Sequence, residues 1–179
     1  NLPKQLREKL EQSFFIPKVQ IYNSQHSNDG TIKSGLLLED KRVVEGVLIP
    51  TEKRMTACVS CQVGCSLNCS FCATGFMERS RNLTYDEIID EVTLLDQQAQ
   101  QAYGRGLSNI VFMGMGEPLL NYSNVMAAIE KITDPNGLGM SPRRITVSTA
   151  GIAKMIKKLG DDGAKFNLAL SLHAGNDEK

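Results

Sequence analysis

The spacing of apolar residues first predicts a short helix and then three strands. Apolar residues recur at every fourth position and predict an amphipathic helix that ends near Pro17: Leu2, Leu6, Leu10 and Phe14. Strands are predicted over 19–22, 32–38 and 42–49, with the polar run 23–30 as a turn. We therefore assign residues 1–17 to the end of a helical accessory domain and residues 18–52 to a β-rich extension.

After residue 52 the pattern changes to alternating strands and helices. The predicted strands cover 55–60, 109–113, 144–148 and 166–172. The run 109–113 is apolar throughout, which is typical of a parallel strand covered on both faces. The first helix starts at a capping box of Thr84 and Glu87, and later helices cover about 122–132 and 152–159. Such units give parallel strands with right-handed crossovers, so the fold class is α/β and residues 53–179 are the first half of a barrel.

Composition and charge narrow the function only slightly. Lysine plus arginine and aspartate plus glutamate both number 20, so the formal net charge is zero. This balance neither predicts nor excludes a nucleic-acid partner, although the absence of tryptophan argues against a base-stacking platform in this segment. No transmembrane run or secretory signal is found, so we expect a cytoplasmic protein without a membrane partner. Because the chain starts at Asn1 without a targeting pattern, we expect it to be part of a larger protein.

Five cysteines lie within fifteen residues and carry the strongest chemical signal: Cys58, Cys61, Cys65, Cys69 and Cys72. Disulfide scaffolds spread their cysteines so that bridges close long loops, whereas this clustering indicates a metal site or redox-active thiols in a reducing compartment. The last three follow a C-x3-C-x2-C spacing, and three thiolates on a four-iron cluster leave one iron open. A structural zinc site with Cys61 or Cys58 as the fourth ligand is the alternative, although no second pair of ligands is present.

The C-x3-C-x2-C motif after a first barrel strand resembles radical S-adenosylmethionine enzymes, and longer motifs are similar to the RlmN/Cfr group of RNA adenine methyltransferases. These motifs occur in the family's order and cover residues 58–65, 71–75, 113–121, 143–151 and 171–174. The resemblance implies a partial (β/α)6 barrel that holds a [4Fe–4S] cluster on Cys65, Cys69 and Cys72, together with S-adenosylmethionine.

The resemblance also assigns roles to residues at the ends of the predicted strands, where α/β barrels place their active sites. Gly116 and Glu117 are expected at the methionine end of S-adenosylmethionine, and further contacts through ribose and carboxylate are expected from this set: Ser148, Ser171, Leu172 and His173. Each has a simpler interpretation, such as a strand-to-helix turn, a helix cap or a local hydrogen bond.

Two further residues are assigned catalytic roles by the resemblance. Cys58 matches the thiol that attacks the methylated carrier cysteine and forms a transient disulfide, although an inert buried thiol is an equal alternative. Glu45 matches a proposed proton acceptor, for which apolar surroundings would favour the protonated form, although a strand can also expose it harmlessly. Cys61 receives no role beyond that of a small buried residue or a spare thiol.

The implied function is methylation of adenine carbon 2 in 23S rRNA and in tRNA, by a monomer that takes electrons from a donor such as flavodoxin. The carrier cysteine of the family has no counterpart in this chain. Basic residues are expected near the motif loops, where they could contact RNA phosphates: Arg42, Lys53, Arg54, Arg79, Arg81, Arg143 and Arg144. Methylation at carbon 8, as in the Cfr branch, is the closest alternative, and a zinc-stabilised RNA-binding fragment without catalysis is an alternative of another class.

Overall fold

The computed structural model describes residues 2–13, 19–77, 81–172 and 174–176. The helices and strands follow in this order: α1 Lys4–Ser13, β1 Gln20–His26, β2 Ile32–Leu37, β3 Val43–Pro50, β4 Met55–Cys58, β5 Gln62–Val63, β6 Arg81–Asn82, α2 Tyr85–Tyr103, β7 Asn109–Phe112, α3 Tyr122–Thr133, β8 Ile145–Thr149, α4 Ala153–Asp161 and β9 Asn167–Leu170. None of the described helices is both long enough and apolar enough to cross a membrane.

Seven strands form one mixed sheet in the order β1-β2-β3-β4-β7-β8-β9. Strands β1 to β4 pair as antiparallel neighbours, whereas β4, β7, β8 and β9 run parallel. The pairing changes at β4, where Cys58 lies opposite Val47 on one side and Val111 on the other. The predicted α/β class with parallel strands is confirmed. The domain boundary at residue 52 stays a prediction, and strands from both sides of it share this sheet.

One face of the sheet forms the core with helix α2. Alternate strand residues are buried on this face, among them Ala57, Ile110 and Val147, and the apolar stripe of α2 contributes Ile88 and Leu95. Burying each of the larger side chains, such as Ile110 or Leu95, stabilises the fold by roughly 1.5–3 kcal/mol. Helix α3 packs beside α2 and extends the same layer.

The other face, which we call the open face, carries the remaining alternate residues, including Thr56, Cys58, Val111 and Thr146. These side chains are half-buried, and Met113 at the end of β7 is 48% exposed. The prediction that the apolar run 109–113 is covered on both faces is therefore wrong for the described residues. An apolar run reports the hydrophobicity of both faces but not whether a second layer lies over each of them.

The capping box at the start of α2 is confirmed. The Thr84 hydroxyl accepts a hydrogen bond from the Glu87 amide at 3.3 Å, and the Glu87 carboxylate accepts one from the Thr84 amide at 2.9 Å. These contacts satisfy two amide donors that the first helical turn leaves free. The helix ends at Gly104, whose left-handed backbone (φ 66°) closes the last turn.

Two boundaries at the start of the chain differ from the predictions. Strand β1 continues through polar residues to His26, so the predicted turn 23–30 shortens to 27–30. All seven β1 residues are exposed, and pairing with β2 rather than burial holds them extended. In α1, Leu6 and Leu10 are also exposed. Phe14 and Pro17, which bear on the predicted end of this helix, lie outside the described residues.

Candidate active site

A cavity of about 440 Å³ lies at the carboxyl ends of the parallel strands. Its lining comes from the loop after β5 and from the ends of β7, β8 and β9, and it includes seven of the predicted site residues: Cys65, Cys69, Cys72, Gly116, Glu117, Ser148 and Ser171. Small-molecule sites in proteins are typically clefts of about 300–1,000 Å³. Side chains far apart in sequence are therefore brought to one cavity of suitable size, at the end where α/β barrels bind ligands.

The loop with the three cysteines leaves the sheet through a small ribbon. Strands β5 and β6 pair with Gln62 opposite Asn82, which brings the two ends of the loop together. Gly64 (φ 72°) and Asn68 (φ 50°) provide left-handed turns inside it. Gly75 packs so closely that an added Cβ would lie 2.6 Å from the Cys69 carbonyl oxygen. Gly75 therefore fits because it has no side chain.

The three cysteine side chains are half-buried and face the same cavity. In the described part of the chain, no three His, Cys, Asp or Glu side chains converge on a point that could hold a single metal ion. A four-iron cluster binds each thiolate to a different iron, so its ligands surround a volume rather than a point. Three soft thiolate donors around a common cavity fit such a cluster.

Cys61 does not join the other three cysteines. It is 2% exposed, and its Sγ lies 3.5 Å from the Met115 carbonyl oxygen, to which it donates. Burial is the main cause that raises the pKa of this thiol well above its ordinary value. Cys61 is thus a buried core residue, which is one of the two interpretations that its sequence position allows, and it is poorly placed to be the fourth ligand of a zinc ion.

Asn121, at the start of α3, anchors both ends of the cysteine loop. Its side-chain amide donates to the carbonyl oxygens of Cys61 and Leu83, both at 2.8 Å. These two carbonyls flank the loop, so one buried side chain connects both ends of it. Asn121 closes the motif 113–121, but no local pattern in the sequence assigns it this role.

Arg81 fixes the outer end of the same loop. Its guanidinium forms two hydrogen bonds with the Glu87 carboxylate, at 2.7 and 2.8 Å, and its Nε donates to Asp40 at 2.8 Å. The hydrogen bond to Arg81 is the main cause that lowers the pKa of Asp40. Arg81 is one of the basic residues expected to contact RNA phosphate, but its guanidinium instead binds two carboxylates of the protein itself.

The turn after β7 approaches the start of the cysteine loop very closely. Gly116 has φ 98°, and a Cβ on it would lie 2.5 Å from the Cβ of Gln62. The Gln62 side-chain oxygen accepts a hydrogen bond from the Glu117 amide at 2.9 Å. Gly116 is therefore required both by its backbone conformation and by the space available.

Glu117 connects the ends of two neighbouring strands. Its carboxylate, 3% exposed, accepts hydrogen bonds from the amides of Leu119 at 3.0 Å and Ala150 at 2.8 Å. Each carboxylate oxygen can accept a second hydrogen bond, so the cavity side can still receive a ligand ammonium group. The predicted contact with a methionine moiety stays a prediction, and the structural role of Glu117 is an addition to it.

The remaining predicted cofactor contacts lie at the next two strand ends. The hydroxyls of Ser148 and Ser171 are 3.1 Å apart and both residues line the cavity. Leu172 is 71% exposed and is not among the residues that line it. His173 lies outside the described residues.

Cys58 and Glu45 share the open face of the sheet. Cys58 on β4 lies opposite Val47 on β3. Glu45 is two residues before Val47 on β3, so the side chains of Cys58 and Glu45 point to the same face of the sheet. Burial is the main cause that raises the pKa of Cys58 to about 11, with a smaller contribution from the nearby Glu91 carboxyl group, although a backbone hydrogen bond with Met113 opposes the shift. The thiol is therefore protonated at neutral pH.

The apolar surroundings expected for Glu45 are not present. Its side chain is 48% exposed and pairs with Lys33, with the carboxylate 2.8 Å from the ammonium group. Residues alternate between the two faces of a strand, so the side chain of Val44 lies on the opposite face, and of the nearby apolar residues within two positions only Val43 and Val47 share the face of Glu45.

Glu91 on α2 is a buried carboxyl group that was not singled out from the sequence, and it contacts the segment after β4. It is fully buried, and one carboxylate oxygen accepts a hydrogen bond from the Ser60 amide at 3.0 Å, while the other has no partner among the described residues. Burial raises the pKa of Glu91 well above its ordinary value. The Ser60 hydroxyl donates to the Glu45 carbonyl and accepts from the Met115 amide. The only sequence signal is a carboxylate on the apolar stripe of α2.

One further expectation receives no support, and another is corrected. All five cysteines are free thiols, so the expectation of a disulfide receives no support from this chain. Four of the basic residues do not lie near the motif loops, because they precede β4 and β8 and so occupy the opposite ends of those strands: Lys53, Arg54, Arg143 and Arg144. Arg42 lies 3.7 Å from Asp40, and Arg79 is outside the described residues.

Comparisons with known proteins agree with this geometry. A model of the radical SAM superfamily matches residues 59–179. The chain is 59% identical over 179 residues to a probable dual-specificity RNA methyltransferase RlmN of Cytophaga hutchinsonii, covering 49% of that protein. It is 57% identical to a relative of the same name from Christiangramia forsetii, over 99% of this chain and 51% of the relative.

A solved structure gives the same result at the level of the fold. The crystal structure of a radical SAM methyltransferase from Sphaerobacter thermophilus has a TM-score of 0.90 and 42% sequence identity, over 99% of this chain and 52% of that one. The chain spans about half the length of the curated relatives it matches.

Proposed function

The chain belongs to the radical SAM superfamily, and from this we propose that it is the cluster-binding part of an RNA methyltransferase that acts on carbon 2 of adenine. The observation that carries the proposal is the single cavity that brings Cys65, Cys69 and Cys72 together with the strand-end residues Glu117 and Ser148. The names of the relatives support RNA as the substrate.

The cysteine triad is proposed to hold a [4Fe–4S] cluster through three of its irons. When bound, the cluster and S-adenosylmethionine supply a radical that can attack an otherwise unreactive carbon. The half-buried thiols and the turns at Gly64 and Asn68 provide a loop that can wrap around a bulky group. The buried attachment through Asn121 keeps the loop against the ends of the strands.

The strand-end residues are proposed to bind and orient S-adenosylmethionine. Gly116 lines the cavity and presents its backbone to the ligand, and Glu117 offers its remaining acceptor positions to the ammonium group. The paired hydroxyls of Ser148 and Ser171 suit ribose and carboxylate oxygens, and Leu172 and His173 complete the predicted set.

Cys58 and Glu45 are proposed to act on the open face. Cys58 is the thiol that frees the product from the carrier cysteine, and its protonated state at neutral pH means that a base must activate it. Glu45 is proposed as the proton acceptor at the adenine ring, and its half-exposed carboxylate faces the side from which a substrate can approach.

We propose 23S rRNA and tRNA as substrates, since the relatives are named dual-specificity enzymes. A cytoplasmic monomer and a small electron donor such as flavodoxin complete the proposal. Carbon 8 is the less favoured position, because the matched relatives carry the RlmN name.

The test is a genetic complementation with the full-length protein that contains this chain. In a strain lacking the enzyme, mass spectrometry of rRNA and tRNA should show carbon-2 methyladenine with the wild type. It should show none with Cys69→Ala, whereas the buried control Cys61→Ala should keep the modification. Carbon-8 methyladenine, or unchanged RNA with the wild type, would contradict the proposal. Stoichiometric zinc in place of iron and sulfide in the purified protein would favour the non-catalytic alternative.

A further inference from the structure

A group of cations lies at the amino ends of the parallel strands, at the far end of the sheet from the cavity. We call it the amino-end patch, and its members are Lys53, Arg54, Arg105, Arg143 and Arg144. They belong to the loops that precede β4, β7 and β8, whereas the cavity lies after the same strands. A strand of four residues, such as β4 or β7, is about 13 Å long, so at least this distance separates the patch from the cavity.

Direct contacts tie these loops together. The Arg105 guanidinium donates to the carbonyl oxygens of Glu52 at 3.0 Å and Arg54 at 3.4 Å. The Arg144 guanidinium donates to the Ser108 carbonyl at 3.3 Å, and the Ser108 hydroxyl accepts a hydrogen bond from the Met55 amide at 2.9 Å. The loops before the three strands therefore form one surface rather than three unrelated ones.

The charges of this patch are not neutralised by the described residues. None of its five cations forms an ion pair there, in contrast to Lys33, Arg81, Lys157 and Lys158. Glu52, the nearest carboxylate in sequence, and Asp29, in the turn before β2, form no ion pair with a cation of the patch among the described residues. A guanidinium has five donors, so Arg105 and Arg144 keep free N–H groups beyond their carbonyl contacts.

We propose that the amino-end patch is a second RNA-binding surface, which contacts phosphates of the substrate away from the base in the cavity. Unpaired lysine and arginine side chains on a common surface suit the phosphate backbone, and such contacts position a nucleic acid without reading its sequence. An acidic electron-transfer protein is the other natural partner for a basic surface. That protein must approach the cysteine loop, which lies at the opposite ends of the strands. The proposal rests on RNA being the substrate.

The test compares two RNAs and two variants of the full-length, cluster-containing protein. One RNA is a short stem-loop that holds only the target adenine, and the other is a long folded RNA around the same stem-loop. The patch variant is Lys53→Gln/Arg143→Gln, whose side chains form no hydrogen bond or ion pair with the described residues. The control is Lys157→Gln/Lys158→Gln, which removes the same charge from lysines neutralised by Asp161 and Asp162.

Binding is measured by fluorescence anisotropy over a range of salt concentrations, without S-adenosylmethionine. The patch variant should bind the long RNA about tenfold more weakly. Its log–log salt slope should fall by about 0.7–0.9 for each phosphate that the variant no longer neutralises. Its affinity for the short stem-loop should match that of the wild type, and the control should match the wild type with both RNAs.

Three results would overturn the proposal. These are unchanged binding of the long RNA, an equal loss of affinity with both RNAs, and a patch variant that is impaired only in its reduction by a protein electron donor. Binding and methylation are read separately, so a wild type that binds the long RNA through the patch but methylates no adenine would refute the proposed function and leave this surface standing.

Discussion

The buried carboxylate of Glu91 accepts a hydrogen bond from the backbone amide of Ser60, at 3.0 Å and 31 residues away along the chain. Ser60 also binds the turn after β7 through its hydroxyl, which accepts from the Met115 amide at 2.9 Å. The helix that covers the sheet is thereby connected to the two segments that meet at the cavity. A neutral carboxyl group serves this purpose without an isolated charge in the core.

Replacing Glu91 with glutamine should change how stability depends on pH. The folded state holds the Glu91 proton more tightly than the unfolded chain, so this group makes the wild type less stable as pH rises above the ordinary glutamate range. Glutamine does not titrate. Between pH 5 and pH 7 the unfolding free energy of the wild type should therefore fall relative to that of Glu91→Gln. Urea unfolding of the two full-length proteins measures both values. Parallel curves for the two proteins would contradict a buried proton, and Glu130→Gln on the exposed side of α3 is the control.

Gly116→Ala should destabilise the turn beside the cavity. The new Cβ meets Gln62 at 2.5 Å in a left-handed backbone, and strain of this kind costs on the order of 1–3 kcal/mol. S-Adenosylmethionine binding, measured by equilibrium dialysis, should weaken with it. Gly160→Ala is the control, because its Cβ would enter open space within α4; it should leave S-adenosylmethionine binding intact and should not lower stability. Wild-type binding and stability in Gly116→Ala would show that the turn adapts freely.

Alkylation of Cys58 should have an alkaline pH dependence. Because burial and Glu91 raise its pKa to about 11, the reactive thiolate is scarce at neutral pH. Between pH 7 and 9.5 the rate of iodoacetamide labelling, followed peptide by peptide with mass spectrometry, should keep rising without a plateau. In the urea-unfolded chain the labelling rate of the same peptide should be half-maximal near the ordinary cysteine pKa of about 8.5 and should bend towards a plateau above it. A plateau below pH 9 in the folded protein would exclude the shift.

Arg81→Lys should loosen the outer end of the cysteine loop. A lysine cannot reproduce the two-point contact with Glu87 together with the bond to Asp40, and we expect a destabilisation of about 1 kcal/mol after allowing for partial exposure. The cluster in the full-length variant should be removed faster by a chelator. Arg42→Lys removes a weaker contact of 3.7 Å and should stay within about 0.5 kcal/mol of the wild type. Equal chelation rates for Arg81→Lys and Arg42→Lys would show that Arg81 does not restrain the loop.

The sequence predicted those features that depend on neighbouring residues. The capping box at Thr84 and the alternation of parallel strands with helices are local patterns. The spacing of the cysteines is also local, and it identified the loop that lines the cavity. The polar half of β1 was missed because an exposed strand has no hydrophobic period, and β5 and β6 are too short to show one.

Long-range geometry could not be predicted in the same way. The burial of Glu91 depends on Ser60, and the setting of Glu45 depends on which face of β3 its side chain occupies. The basic residues Lys53 and Arg143 precede strands whose other ends carry the site, so closeness in sequence to a motif indicated the wrong end of the sheet.

The change from antiparallel to parallel pairing at β4 has a consequence for the order of folding. Strands β1 to β4 pair across short turns, whereas each parallel pair must wait for a crossover that contains a helix. Local pairings close small loops and form early, while non-local ones are slow. We expect the four-stranded meander to form first and to present β4 as the template on which β7, and then β8 and β9, assemble.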